Sequence, residues 1–86
     1  MPIWFHGQRL GIHPAALKHR TVEDIERVLR RNVRVDTDQV HGRQDIVAVA
    51  RWDMQGLPTI VLINSSQGLI FHANKPCSEF LYMFEV

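Results

Sequence analysis

The sequence contains very little that would cross-link the chain or anchor it in a membrane. It has one cysteine, Cys77, so no internal disulfide is possible and a reducing compartment is the simplest expectation. Its longest apolar run is five residues, far below the roughly 20 residues that cross a bilayer. The N-terminus lacks the basic-then-apolar order of a signal peptide. We therefore expect a cytoplasmic protein without a membrane association.

The familiar motifs of nucleotide binding, nucleophilic hydrolysis and redox chemistry are also absent. The sequence contains no GxxxxGK[ST], GxGxxG, GxSxG or CxxC. His13 and His19 are six positions apart, which is about 240° around a helix axis, so they do not share a helix face. A zinc-binding pair on one helix needs a spacing of three or four residues. We expect neither a metal site nor a cofactor.

What is present is the composition of one folded domain with an uneven charge. The 86 residues are 45% hydrophobic and 22% charged, which is typical of a globular domain spanning 1–86. Residues 1–43 carry eight Lys and Arg against five acids, whereas residues 44–86 carry two against four. The N-terminal half is therefore the part expected to face an anionic partner.

Hydrophobic periodicity and turn residues predict two helices in the first half of the chain. In HPAALKH (13–19), Pro14 fits the first turn of a helix and good helix formers follow it. Thr21 fits the N-cap of a second helix over about 22–31, with acidic residues in its first turn. The six residues GQRLGI (7–12) are interpreted as a loop.

The remaining patterns predict strands and a final helix. β-branched runs and alternation are typical of strands, and polar or glycine-containing turns separate them. Short connections between successive strands imply antiparallel pairing. The predicted strands are 2–6, a short alternating stretch at 33–36, 45–52, 57–64 and 69–73, and the final helix covers about 75–84. We expect an α+β domain with two N-terminal helices, a curved antiparallel sheet of three to four strands and a C-terminal helix.

Two groups of side chains are candidates for chemistry. His72 lies near the end of the last predicted strand, and Lys75 follows it three residues later. A histidine next to a cation is suited to acid–base chemistry on a phosphate. The alternative is a half-buried histidine that only hydrogen-bonds a neighbouring strand or loop. Four arginines cluster at the end of the second helix, where they form either a solvated helix end or an anion-binding patch. They are Arg27, Arg30, Arg31 and Arg34.

Most of the chain, about residues 12–82, resembles the small RelE/BrnT-like proteins of bacterial toxin–antitoxin systems. The resemblance is carried by HPAALKH followed by TVEDIERVLRRNVRVD, then three strands, then LIFHANKP. His13, Lys18 and His19 match the first motif, and His72 with Lys75 matches the second. The resemblance implies a RelE-like fold that binds and cuts RNA without a metal ion, and an antitoxin protein that blocks its site.

The site implied by this resemblance has two parts. The catalytic residues are expected to be His72, Lys75, Arg51 and Glu79. A base, an acid and cations are what RNA cleavage without a metal requires. The RNA-binding residues are expected to be Lys18, His19, Arg27, Arg30, Arg31 and Arg34.

Two alternatives involve no catalysis. Large apolar residues near both ends of the chain favour a protein-binding module or a homo-oligomer: Trp4, Phe5, Phe80, Tyr82, Met83 and Phe84. The segment WDMQGLPTIVLINSSQGLIF is similar to the second half of thioredoxins, which implies a binding domain without the redox CxxC and with a cis Pro58. A terminal strand and helix that pack on each other would account for the apolar residues equally well.

Overall fold

Six strands, one α-helix and one 3₁₀ helix make up the regular structure of the described residues. A computed structural model describes residues 3–5, 7–30, 34–36, 45–76 and 78, with only the backbone described for 34–36. The elements are β1 (Ile3–Phe5), β2 (Gln8–Ile12), the 3₁₀ helix (Pro14–Leu17), α1 (Val22–Arg30), β3 (Arg34–Asp36), β4 (Ile46–Trp52), β5 (Pro58–Asn64) and β6 (Leu69–Asn74).

The strands form a mixed sheet in the order β1-β2-β6-β5-β4-β3. Strands β3, β4, β5 and β6 pair with one another in antiparallel fashion, as short connections require. β2 instead lies parallel to β6, with Gly11 opposite Leu69 and Ile12 opposite Ile70. β1 extends the sheet as the first strand of a hairpin, and Gly7 in its turn has a φ of 80°. This arrangement brings the start of the chain next to its last described strand.

Helix α1 packs on one face of the sheet because its apolar residues recur at helical spacing. Ile25 and Val28 are fully buried, and they contact side chains of alternate positions along the central strands. The larger apolar cluster contains Ile3, Phe5, Leu10, Ala16, Ile25, Val28, Leu29, Val49, Val61, Ile63, Ile70 and Ala73. The opposite face carries a smaller buried cluster of Ile46, Ala48, Ala50, Ile60 and Leu62.

The predicted fold class, with two N-terminal helices and a purely antiparallel sheet, is wrong. The chain has a single α-helix in its described part, and HPAALKH forms only a 3₁₀ helix of four residues. Four good helix formers are too few to nucleate an α-helix. The predicted loop 7–12 contains β2, which gains its hydrogen bonds from β1 and β6. The predicted C-terminal helix, 75–84, falls mainly outside the described residues, and Lys75 and Pro76 are not helical.

Several local predictions are confirmed. Thr21 precedes α1, and its Oγ1 accepts a hydrogen bond from the Asp24 N–H at 3.2 Å. Strands β4, β5 and β6 lie within one residue of their predicted ends.

None of the helices in the described ranges has the length and apolar character needed to cross a bilayer.

Candidate functional site: a histidine pair at one end of the sheet

One end of the sheet collects several of the polar residues that the sequence marked. Trp52 at the end of β4 lies opposite Pro58 at the start of β5, and Asn74 at the end of β6 lies opposite Ile60. The loop 18–20 reaches the same end, because the Arg20 guanidinium donates a hydrogen bond to the carbonyl oxygen of Pro58. Residues far apart in sequence therefore meet here.

The 3₁₀ helix is attached directly to β6. The His13 N–H donates to the carbonyl oxygen of Ile70 at 2.8 Å, and Ala16 is fully buried in the main apolar cluster. The His13 ring acts as a cap, since its Nδ1 accepts a hydrogen bond from the Ala15 N–H at 3.0 Å. HPAALKH thus begins with a capping histidine and brings Lys18 and His19, both exposed, to the end of β6.

His72 is half-buried in β6, where the strand contains a bulge. Ile70 pairs with Ile63 and His72 pairs with Leu62, so Phe71 is an extra residue on the β6 side. Burial lowers the pKa of His72 below its ordinary value, and repulsion from the charge of His19 lowers it further. The lowered pKa favours the neutral form of His72 near pH 7.

A buried ion pair fixes the loop that carries His19. Arg20 Nε lies 3.0 Å from Asp53 Oδ2, with side chains that are 11% and 0% exposed. The same Nε donates to Thr59 Oγ1 at 2.8 Å, and the Thr59 hydroxyl donates to Asp53 Oδ2 at 3.1 Å. Asp53 Oδ1 accepts from the N–H groups of Gln55 and Leu57. Loop 18–20 and the turn between β4 and β5 therefore form one rigid unit.

Asp24 connects this unit to helix α1. Its Oδ2 accepts hydrogen bonds from the N–H and hydroxyl of Thr21, and its Oδ1 accepts from the Met54 N–H at 3.2 Å. Asp24 as a whole is only 3% exposed. One buried side chain thus caps the helix and holds the β4–β5 turn against it.

The four predicted catalytic residues do not meet at one place. Lys75 is exposed directly after β6, at the same end as His72. Arg51 pairs with Thr59 on the helix-facing side of the sheet, whereas His72 pairs with Leu62 on the other side. Glu79 lies outside the described residues. Arg51 is therefore separated from His72 by the thickness of the sheet.

The predicted RNA-binding residues also divide. Lys18 and His19 lie beside β6, but Arg27 and Arg30 lie on α1. These two arginines line a surface pocket of about 300 Å³ together with Glu23, Glu26 and Met54. Arg30 is paired with Glu26 at 2.5 Å. Arg31 lies outside the described residues, and only the backbone of Arg34 is described, in β3.

The sequence did not reveal the polar network of Arg20, Asp24, Asp53 and Thr59. The only available signal was the turn DMQG, in which an aspartate precedes a glycine and typically bonds the N–H two residues on. Its partner Arg20 lies 33 positions earlier, at a spacing no motif indicated. The described residues hold no group of three His, Cys, Asp or Glu side chains that would bind a metal ion.

The apolar residues that the sequence suggested as a binding surface differ in their exposure to solvent. Trp4 is 62% exposed, but Phe5 is buried in the main cluster, and positions 80–84 lie outside the described residues. Other large exposed apolar side chains lie around the β4–β5 turn and the 3₁₀ helix: Leu17, Trp52, Met54 and Leu57. The peptide bond before Pro58 is trans, so the feature required by the thioredoxin-like alternative is missing.

Comparisons with models of protein families, with curated proteins and with solved structures found no match. The resemblance to RelE/BrnT-like proteins therefore rests on the short motifs alone and stays a prediction.

Proposed function

We propose that this chain is a toxin-type protein that binds single-stranded RNA and cleaves it without a metal ion at His72 and His19. The proposal is supported by the attachment of the 3₁₀ helix, which leads into Lys18 and His19, to β6, the strand that carries half-buried His72, and by the charge of His19 as one cause of the lowered pKa of His72. Two histidines in different environments supply a proton acceptor and a proton donor from the same residue type.

The proposed step is an internal transfer of the phosphodiester. Neutral His72 accepts the proton of a ribose 2′-hydroxyl while the oxygen of that hydroxyl attacks the adjacent phosphorus. The bond from phosphorus to the 5′-oxygen of the next nucleotide breaks, and His19 donates a proton to that oxygen. The products are a 2′,3′-cyclic phosphate and a 5′-hydroxyl. The low pKa of His72 favours its role as the acceptor.

Exposed cations at the same end supply the charge that an RNA backbone requires. Lys18 precedes His19 directly, and Lys75 follows His72 by three residues. The nearby Asp53 is neutralised by Arg20 and does not oppose an incoming phosphate. Lys18 and Lys75 are proposed to bind phosphates and to stabilise the charge that develops on the phosphorus oxygens. In this role the protein acts in the cytoplasm and is inhibited by an antitoxin partner.

The proposal is tested with purified protein, a single-stranded RNA oligonucleotide and excess EDTA. The wild type is expected to give 2′,3′-cyclic phosphate ends, and His72→Gln and His19→Gln are each expected to lower the rate at least about 100-fold. His13→Asn is the matched control, because asparagine keeps the capping bond of the 3₁₀ helix. Intact RNA with folded wild-type protein, or equal rates in His72→Gln and wild type, would overturn the proposal.

A second candidate is a protein-binding module without catalysis. It is favoured by Met54 and Leu57, which are 61% and 45% exposed on a turn that Asp53 holds rigid. A fixed turn loses little entropy when it presents apolar side chains to a partner. Pull-down of the same partner by the wild type and by His72→Gln, but not by Met54→Ser with Leu57→Ser, would favour this candidate.

A further inference from the structure

The pocket on α1 has charge features that the RNA proposal does not use. In the described part of the chain, two buried side-chain nitrogen atoms have no hydrogen-bond partner, Arg27 Nε and Arg51 Nε. A buried unpaired donor costs stability, and a native structure keeps one only for a reason such as a bound ion, water or ligand. Both atoms belong to guanidinium groups, which bind oxyanions.

Arg27 is available to a ligand, whereas its neighbour Arg30 is already paired. The Glu26 carboxylate binds Arg30, at i and i+4 along the helix. The Arg27 Nη1 atom instead points to the sulfur of Met54, 3.8 Å away, and sulfur is only a weak acceptor. The guanidinium of Arg27 therefore lines the pocket without a carboxylate partner among the described residues.

Arg51 lies on the same side of the sheet as Arg27. It pairs with Thr59 on the face that carries Val49 and Val61, against which α1 packs. It also precedes Met54 by three residues, and Met54 lines the pocket. Two positive groups with unpaired buried donors thus lie on the helix-facing side of the sheet, Arg27 in the lining of the pocket and Arg51 outside that lining.

The charge around the pocket indicates a small ligand and not a nucleic-acid backbone. Glu23 and Glu26 line the same opening, so a polyanion that extends beyond the pocket would meet two carboxylates. A volume of about 300 Å³ lies at the lower end of the range for small-molecule sites. A single oxyanion group can reach Arg27 while the rest of a compact ligand lies against Met54.

We propose that this pocket binds a small molecule through one oxyanion group, a carboxylate or a phosphate, which accepts hydrogen bonds from Arg27 with charge support from Arg51. The site is separate from the histidine pair and does not depend on the RNA proposal. Binding of a partly apolar ligand would remove Met54, which is 61% exposed, from water.

The test is a titration of protein labelled with ¹³C in the methionine methyl groups, at constant ionic strength set with sodium chloride. The probes are inorganic phosphate and citrate in separate arms, and the Met54 signal is assigned by its loss in Met54→Leu. A saturable shift of the Met54 methyl is expected, and the arm with the lower dissociation constant identifies the preferred oxyanion. Arg27→Gln is expected to weaken this binding at least about tenfold.

Two further variants make the outcome decisive. Arg51→Gln is expected to weaken binding about threefold or more, while Arg9→Gln, which changes an exposed arginine in β2, is expected to leave it unchanged. Circular dichroism and thermal unfolding establish that each variant is folded. Shifts that stay linear in both arms, that sodium chloride reproduces, or that persist unchanged in folded Arg27→Gln would overturn the proposal.

Discussion

Arg20 and Asp53 form a buried ion pair that joins the loop after the 3₁₀ helix to the turn between β4 and β5, with Nε and Oδ2 3.0 Å apart. The pair holds the loop that carries His19 against the start of β5 and fixes the turn that presents Met54 and Leu57. A buried pair is costly to break from one side because the remaining charge has no partner.

Asp53→Ala is therefore expected to lower the free energy of unfolding by about 3–5 kcal/mol. Asp53→Asn should lower it less, because an amide oxygen still accepts from the N–H groups of Gln55 and Leu57. Urea denaturation followed by circular dichroism measures both. Glu26→Gln is the control, since its pair with Arg30 is 33% and 69% exposed and should contribute no more than about 0.5 kcal/mol. Equal losses in Asp53→Ala and Glu26→Gln would contradict the assigned role of Asp53.

The cap of α1 gives a second prediction. Thr21→Ala removes the hydroxyl that accepts from the Asp24 N–H and donates to the Asp24 carboxylate, and should cost about 1–2 kcal/mol. Thr21→Ser keeps both bonds and should cost less than half of that amount. Chemical denaturation of the three proteins under identical conditions provides the comparison. If serine and alanine were equally destabilising, the cap would not be the source of the effect.

Substitution of Gly56 should lower stability through backbone conformation alone. Its φ is 79°, and a Cβ added there would meet no atom within 4 Å. Gly56→Ala should therefore cost about 1–2 kcal/mol from backbone strain alone. Gly11→Ala is the control, because its φ is not positive and its Cβ would make an ordinary contact of 3.6 Å with Leu69 Cδ1. In thermal unfolding, the midpoint temperature should be lower for Gly56→Ala than for the wild type and nearly unchanged for Gly11→Ala.

The lowered pKa of His72 predicts a dependence of stability on pH. Because the unfolded histidine binds its proton more readily than the folded one, the contribution is fully present above about pH 6.5. It is lost as the pH falls from 6.5 through the folded pKa of His72. His72→Gln should flatten the stability profile in that window. NMR titration of the imidazole should also show a higher pKa for His72 in His19→Gln, and an unchanged value would contradict the proximity of the two rings.

The sequence predicted those parts of the fold that depend on local patterns. The spacing of Ile25, Val28 and Leu29 and the capping Thr21 located α1, and β-branched runs located β4 to β6. It did not predict β2, because Gln8–Ile12 has a weak pattern and becomes a strand only through pairing with β1 and β6. Parallel pairing at a distance of more than 50 residues leaves no local signal.

The candidate site was predicted in the same partial way. His72, His19, Lys18 and Lys75 were selected by residue type and motif, and the structure brings them to one end of the sheet. Arg51 was selected for its charge, but the register of β4 and β5 places it on the opposite face. Arg20 and Asp53 were missed because their roles arise only from a contact between distant segments.

We propose that the basic residues form two separate sites, a histidine pair for RNA and an arginine pocket for a small oxyanion. The most direct test is an NMR titration with a single-stranded oligonucleotide whose 2′-hydroxyls are methylated, so that it binds without being cleaved. The imidazole signals of His19 and His72 are expected to shift and saturate, while the Met54 methyl signal stays in place. A shift of the Met54 signal with unchanged histidine signals would contradict the division into two sites and would place RNA binding at the arginine pocket.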